Sequence, residues 1–320
     1  MTPPGRTPSI PTALFEEAVD AVISGNAGEL ARLLDHQPEL VHARSARPHR
    51  ATLLIYVGAN GVEDFRQRTP PNSVDIASLL IARGADVNAV ADLYGGSTTL
   101  GLVATSVHPA NAGVQRALID VLLSCGATFE AAVDHGYARG SIVNACLANG
   151  RGDAASYLAA RGAALDLEGA CGVGRLDVVR QLVDASGRLS PGATEDQLRS
   201  GFNWACEYGR RQVIEFLLEL PFDLRTKHRE TGLHWAACNA HVAIVRRLLD
   251  AGFRVDVIDD RWGSSPLGWA LHGWRNSSPG GARNDYYEIV AALRSAGAEV
   301  RPEWVDDRVR ADARLMSALQ

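Results

Sequence analysis

Lysine is nearly absent from this chain: Lys227 is the only one in 320 residues. Positive charge is therefore carried almost wholly by arginine, whose planar fork stays charged and bonds in pairs, a bias expected of a GC-rich, bacterial-like genome. A net basic balance is lacking too, because Lys and Arg total 32 against 37 Asp and Glu. This argues against a general nucleic-acid binder, since phosphate affinity comes from clustered cations that release counterions, and leaves open only a local basic patch. Cysteine is scarce: Cys125, Cys146, Cys171, Cys206 and Cys238 lie far apart, with no CxxC spacing and an odd count. That pattern speaks against a disulfide framework and a zinc site and fits a reducing cytoplasm. Long apolar runs are missing as well, so no stretch reaches the roughly 18 residues that a membrane span requires. The opening MTPPGRTPSIP has no apolar core of an export signal. G-x-S-x-G, H-E-x-x-H and G-x-x-x-x-G-K-[ST] do not occur, and GVGRLD has no strand before it and reads as a turn between helices. No metal or cofactor is expected, and the balance leans away from an enzyme.

What is present is a repeat. The stretch TGLHWAACNAHVAIVRRLLDAGFRVDV places small and apolar residues at helical spacing, breaks at Asn239–Ala240, and resumes with Val242, Ile244, Val245, Leu248 and Leu249 on one stripe. Gly252 then ends the second helix. Related blocks include TLLIYVGANG with VDIASLLIARGADVNA, TTLGLVATS with ALIDVLLSCGATFE, SIVNACLANGRGDAASYLAARGAALD, LEGACGVGRLDVVRQLVDASG, FNWACEYGRRQVIEFLLEL, and SSPLGWALHGW with YYEIVAALRSAGAEV. With the degenerate FEEAVDAVISGNAGELARLLD they make about eight units, of period near the low thirties. A single helix pair cannot bury both its stripes, so neighbouring units must cover one another.

These blocks resemble ankyrin repeats. Thr231, Gly232, Leu233, His234, Ala236 and Ala237 match the family's T-P-L-H-x-A-A with glycine for proline, Ser265, Pro266 and Leu267 keep the proline, and GADVNA at 84–89 matches the repeat's end. The resemblance implies an all-α repeat solenoid of stacked helix–turn–helix units with β-hairpin fingers. It also implies that His234 is a structural group bonded to nearby backbone rather than a catalyst. Along the chain we expect a loose segment over 1–12, an array over 13–300 and a capping segment over 301–320. Insertions between the two helices of a unit fall near 62–73, 107–114 and 275–284, and the first two should share one rim.

Candidate site residues follow from the register. Tyr56, Trp204, Trp235 and Trp269 share one column of the first helices, where an apolar group packed between units is the ordinary occupant. Three and four residues later the fold should turn positions toward the concave groove. Asn60, Thr105, Ser106, Glu207, Tyr208, Asn239 and His272, with Trp274, are expected there as exposed contacts. The finger tips RPHR (47–50), DLYGG with Asp92 and Tyr94, HGYAR (135–139), RTKHRE (225–230) and DDRW (259–262) mix arginine and aromatics, the composition of binding surfaces. Arrays of this family usually bind a protein partner through groove and fingers, and that is the reading adopted here. The alternative is a small-molecule site, or an unusual enzyme of cyclase, isomerase or lyase type, with a groove pocket closed by the inserted turns. It would draw on Asp64, Arg66, Arg68, Asn72 and His108, with His108, Glu207 and His272 as acid–base candidates if the fold brought them together. Cys206 fills a small buried position and reads as an inert thiol.

Overall fold

A computed structural model describes residues 10–58, 63–66, 68–129, 141–225, 230–278 and 281–320. Asn60, the tip at 135–139 and most of the segment 1–12 lie outside them. The chain divides into two compact units, 1–164 and 165–320.

The first unit contains α1 (Thr12–Ser24), α2 (Ala27–His36), α3 (Leu53–Tyr56), α4 (Ser73–Ala82), α5 (Thr99–Thr105), α6 (Val107–Asn111), α7 (Gln115–Ser124), α8 (Ile142–Ala148) and α9 (Gly152–Ala160). First helices pack on first helices, α1 on α3, α3 on α5 and α5 on α8, and second helices on second, α2 on α4, α4 on α7 and α7 on α9. The second unit contains α10 (Leu167–Val173), α11 (Leu176–Leu182), α12 (Glu195–Glu207), α13 (Arg211–Leu218), α14 (Gly232–Cys238), α15 (Val242–Asp250), α16 (Pro266–Asn276), α17 (Gly281–Ser295), α18 (Asp307–Ala311) and α19 (Ala313–Leu319). Here α10, α12, α14 and α16 stack in sequence, α15 packs on α17, and α19 covers α17. Each unit is thus a row of helix pairs, the solenoid arrangement expected from the repeat. Among the described residues no helix is long and apolar enough to cross a membrane.

The core follows the sequence pattern. Leu233, Ala236 and Ala237 of α14 are fully buried, as are Leu267, Ala270 and Leu271 of α16, because the small pair lets neighbouring first helices approach closely. Gly252 takes φ +80° after α15, and Phe253 N–H reaches back to Leu248 O at 3.0 Å, so the orphan carbonyls at the helix end are satisfied. At the start of α14, His234 Nδ1 accepts the Thr231 main-chain N–H at 3.1 Å. That bond leaves the proton on Nε2, which faces Ser264 O at 3.3 Å in the next repeat. His234 is fully buried and ties two neighbouring repeats of the second unit together through backbone.

The fingers are mostly turns. Among the described residues one antiparallel hairpin forms, β1 (Val90–Ala91) with β2 (Ser97–Thr98), plus an isolated bridge between Val183 and Leu189. An aspartate braces two of the turns: Asp184, inside the Val183–Leu189 bridge, accepts the N–H groups of Ser186 at 2.9 Å and Arg188 at 3.0 Å, and Asp259 accepts main-chain N–H groups in the finger before α16. Short polar side chains offer the backbone such local bonds wherever the connection is brief.

The inserted turns fold back on their own unit. In the third helix pair, α6 follows α5 directly, and Gln115 Nε2 donates to the carbonyls of Val103 (2.9 Å), Ala104 (3.1 Å) and Ser106 (3.2 Å). In the last pair α16 extends to Asn276 and α17 begins at Gly281, so much of that insertion is helical. Residues 301–320 form a short 3-10 turn (Pro302–Trp304), then α18 and α19, with Val309 and Leu315 fully buried.

Candidate functional site

The second unit carries the most concentrated set of candidate groups. Trp269 of α16 is buried and sits between two other indoles: its centroid lies 4.9 Å from Trp235 of α14 at 85° and 4.9 Å from Trp262 of the finger at 68°. Both are edge-to-face contacts, the geometry that the ring quadrupole favours. Trp235 is half-buried, whereas Trp262 is 58% exposed. Trp204 of α12 is half-buried in the same register.

Asp259 holds this wall together. Its Oδ1 accepts the main-chain N–H groups of Arg261 (2.8 Å) and Trp262 (2.6 Å), and its Oδ2 accepts that of Ser264 (2.8 Å) and the indole N–H of Trp269 (3.1 Å). Burial would raise this carboxyl, but the donors outweigh it and hold it below the usual carboxylate range. The finger tip and the helix wall are therefore fixed as one piece. Sequence reasoning noted DDRW as a tip composition and missed this role; the signal available was an Asp followed by a turn, the Asx pattern.

Acidic groups lie beside the wall. Trp235 Nε1 donates to Glu230 Oε1 at 3.2 Å. Burial pushes the Glu207 carboxyl of α12 up to about 8, and the nearby Glu230 charge adds to this, against a hydrogen bond from Tyr208. Cys238 on α14 is pushed up to about 11 by burial and by Glu207. Burial raises the Cys206 thiol well above its ordinary value, which leaves it an inert packing group. Asn239 is exposed, its amide bonded to Trp235 O at 3.0 Å, and Tyr208 is half-buried. His272 is exposed on α16, with Nε2 3.2 Å from Asn276 Nδ2. The helices of Glu207 and His272 are separated by α14, and His108 is a residue of the first unit.

Three of the expected exposed positions are buried instead. Trp274 is 2% exposed, because five residues at 100° each carry it about 140° around α16 from Trp269 and into the packing with α17. Its ring carries the Arg283 guanidinium at 4.9 Å. Thr105 and Ser106 are buried because the insertion folds over the end of α5. Thr105 Oγ1 donates back to Gly101 O at 2.9 Å, and Ser106 caps α6 by accepting His108 N–H at 3.2 Å.

In the first unit the inserted turn is bound by charge. Glu63 is buried and accepts from Tyr56 Oη (2.8 Å) and Arg47 Nε (3.1 Å), with His49 Nε2 at 3.2 Å and Arg66 Nη1 at 3.2 Å. Arg66 also pairs with Glu16 at 2.5 Å and Asp20 at 2.9 Å. Tyr56 is thus a core residue, and Arg66 is engaged in fastening the insertion to α1. Asn72 Nδ2 donates to Gly25 O at 2.8 Å. Arg68 is exposed, as are Asp92, 4.0 Å from Arg50, and Tyr94 at its φ of 51°. Glu63, Tyr56, Arg66 and Asn72 all bond within the first unit. A cleft of about 650 Å3 opens elsewhere, in the second unit, lined by Arg254, Asp256, Glu299, Arg301 and Trp304 among others. Within it Arg254 pairs with Asp256 at 2.9 Å, and Arg301 donates to Gly263 O at 3.1 Å.

A family described as "Ankyrin repeats (3 copies)" matches residues 202–303, which hold this wall. This part of the chain consists of ankyrin repeats. The array is similar to part of the Drosophila melanogaster E3 ubiquitin-protein ligase Ufd4, 30% identical over 127 residues, which is 40% of this chain and 4% of that protein. It is also similar to the Caenorhabditis elegans E3 ubiquitin-protein ligase hecd-1, 32% identical over 92 residues, covering 27% and 4%. The chain therefore spans a small part of the length of these relatives. Among solved structures, the human ASB11 ankyrin repeat domain aligns over 89% of this chain and 99% of that one at 19% identity, with a TM-score of 0.43.

Proposed function

We propose that this protein is a binding module that holds a protein partner against the Trp235–Trp262–Trp269 wall of its second unit, without chemistry of its own. Ankyrin repeats generally mediate protein–protein interaction, and the observation that supports this particular face is Trp262. A tryptophan 58% exposed to water, yet fixed by the Asp259 turn and by Trp269, is an anchor prepared before binding. Such an anchor loses little freedom when a partner covers it, and tryptophan is among the residues that dominate interface energies.

The test is capture from the native cell lysate followed by calorimetry with the purified partner. Trp262→Ala should retain the fold and weaken binding about 30-fold or more, the scale of a loss of about 2 kcal/mol at a buried anchor. A partner bound equally well by Trp262→Ala would place the contact elsewhere and end this reading.

A further inference from the structure

We propose that the cleft of the second unit, apart from the tryptophan wall, takes a small zwitterion with an apolar body, of the α-amino-acid class. Arg301 and the Ser265 hydroxyl hold its carboxylate, and Glu299 holds its ammonium.

The cleft arises from one difference between successive repeats. The stretches GFRVD at 252–256 and GAEVR at 297–301 follow α15 and α17, and each begins with a glycine in the left-handed region, φ +80° at Gly252 and +94° at Gly297. Phe253 stacks on Phe202 of the preceding repeat at 5.8 Å. The last repeat has Ala298 at the matching position, so the ring that would continue this stack is missing. The space left, about 650 Å3, has Phe253, Ile258 and Trp304 among its walls and is of the size that small ligands occupy.

Charge is left over in this space. Arg254 and Asp256 close on each other through two bonds, at 3.1 and 2.9 Å. Their equivalents Glu299 and Arg301 carry the same two signs in reverse order, and neither makes an ion pair among the described residues. Both line the cleft, so one carboxylate and one guanidinium are offered there without a counter-charge.

Ser265 is a second, independent observation. It is the N-cap of α16, where a serine hydroxyl ordinarily accepts a main-chain N–H of the first turn. Here the hydroxyl makes no cap: Ser265 is 4% exposed, lines the cleft, and its Oγ has no hydrogen-bond partner among the described residues. A buried hydroxyl left unmatched is costly, and a ligand oxygen would satisfy it. Arg301 stands at the same end, because its Nη1 donates to Gly263 O at 3.1 Å, two residues before Ser265, and its guanidinium lies 5.2 Å from the centre of the Trp304 ring. The rest of its fork is open to a carboxylate. A plain anion would be repelled by Glu299, and the end of a peptide presents only one of the two charges, whereas a free amino acid meets both.

The test titrates the full chain with L-phenylalanine, L-leucine, 3-phenylpropionate, which has no ammonium, and phenylalaninamide, which has no carboxylate. Binding is read from the Trp304 indole N–H resonance by NMR. Phenylalanine or leucine should shift it and bind about tenfold more tightly than either incomplete probe, the scale of one charge-assisted hydrogen bond. Ser265→Ala should weaken the amino acid about fivefold with thermal stability unchanged or raised, since the hydroxyl has no partner to lose. Arg301→Gln should weaken it about tenfold, and Glu299→Gln should remove the preference for phenylalanine over 3-phenylpropionate. The proposal is overturned if no probe shifts the Trp304 resonance at millimolar concentration, if phenylalaninamide binds as tightly as phenylalanine, or if Ser265→Ala and Arg301→Gln leave affinity unchanged. The result is separate from that for the partner-binding face, since Trp262 does not line the cleft.

Discussion

Asp259 Oδ2 accepts the indole N–H of Trp269 at 3.1 Å while Asp259 Oδ1 accepts the main-chain N–H of Trp262 at 2.6 Å. One carboxylate therefore sets the distance between a finger tip and the helix face beneath it. Asp259→Ala should cost about 1–3 kcal/mol of stability, since it strips several donors of a buried acceptor. It should also shift Trp262 emission to the red as the tip loosens. A variant with unchanged chemical denaturation and emission would show that Trp269 alone positions the tip.

The same carboxylate predicts an acid limb. Its folded pKa is depressed, so its contribution is complete above the unfolded value and is lost as pH falls through the folded one. Comparing wild type with Asp259→Asn, the stability difference should be largest near neutrality and should shrink below about pH 4. A difference that is flat from neutral pH to acid would contradict this.

Glu207 has the opposite sign. Its folded pKa is raised to about 8, so the folded state binds the extra proton and stability declines as pH climbs from the unfolded carboxyl value toward 8. Glu207→Gln should therefore be more stable than wild type at pH 8, by about 1–3 kcal/mol once solvent access to a half-buried carboxyl is allowed for. The two should converge near pH 4. Urea titrations at both pH values check this, and a Gln variant that is less stable at pH 8 would refute it.

In the first unit, Glu63→Ala should be the most damaging surface-loop change. It takes one counter-charge from Arg47 and Arg66, which keep Glu16, and leaves the Tyr56 hydroxyl without its acceptor. The expected loss is about 2–3 kcal/mol. Tyr56→Phe removes a single hydrogen bond and should cost about 1 kcal/mol. Equal effects of the two variants would mean that the charges are hydrated and the network is not buried.

His234→Ala should destabilise the second unit at the face that supports Trp269 of the wall. It removes the acceptor of Thr231 N–H and the bond to Ser264 O, and it leaves a cavity against Trp269, whose ring is 5.3 Å away. A loss of about 2–4 kcal/mol is expected. Thermal unfolding that matched wild type would remove His234 from the scaffold.

The sequence by itself determined the repeat. The apolar stripes, the Ala236–Ala237 pair, the glycine stop at Gly252 and the Thr231–His234 pairing are local patterns, and the helical period and the hydrogen-bond needs of helix ends read them out directly. The column of Trp204, Trp235 and Trp269 was legible for the same reason, because stacking equivalent helices brings equivalent positions together. What the tertiary structure decided was exposure. Thr105, Ser106 and Trp274 looked like groove residues in register, yet a folded-back insertion and a further turn around α16 buried them. Arg66 read as a rim contact until Glu16, Asp20 and Glu63 converged on it from distant parts of the chain. The role of Asp259 and the pressure on Glu207 arise from groups that are not periodic neighbours. Such effects depend on burial and on charges meeting through space, and a one-dimensional pattern carries neither.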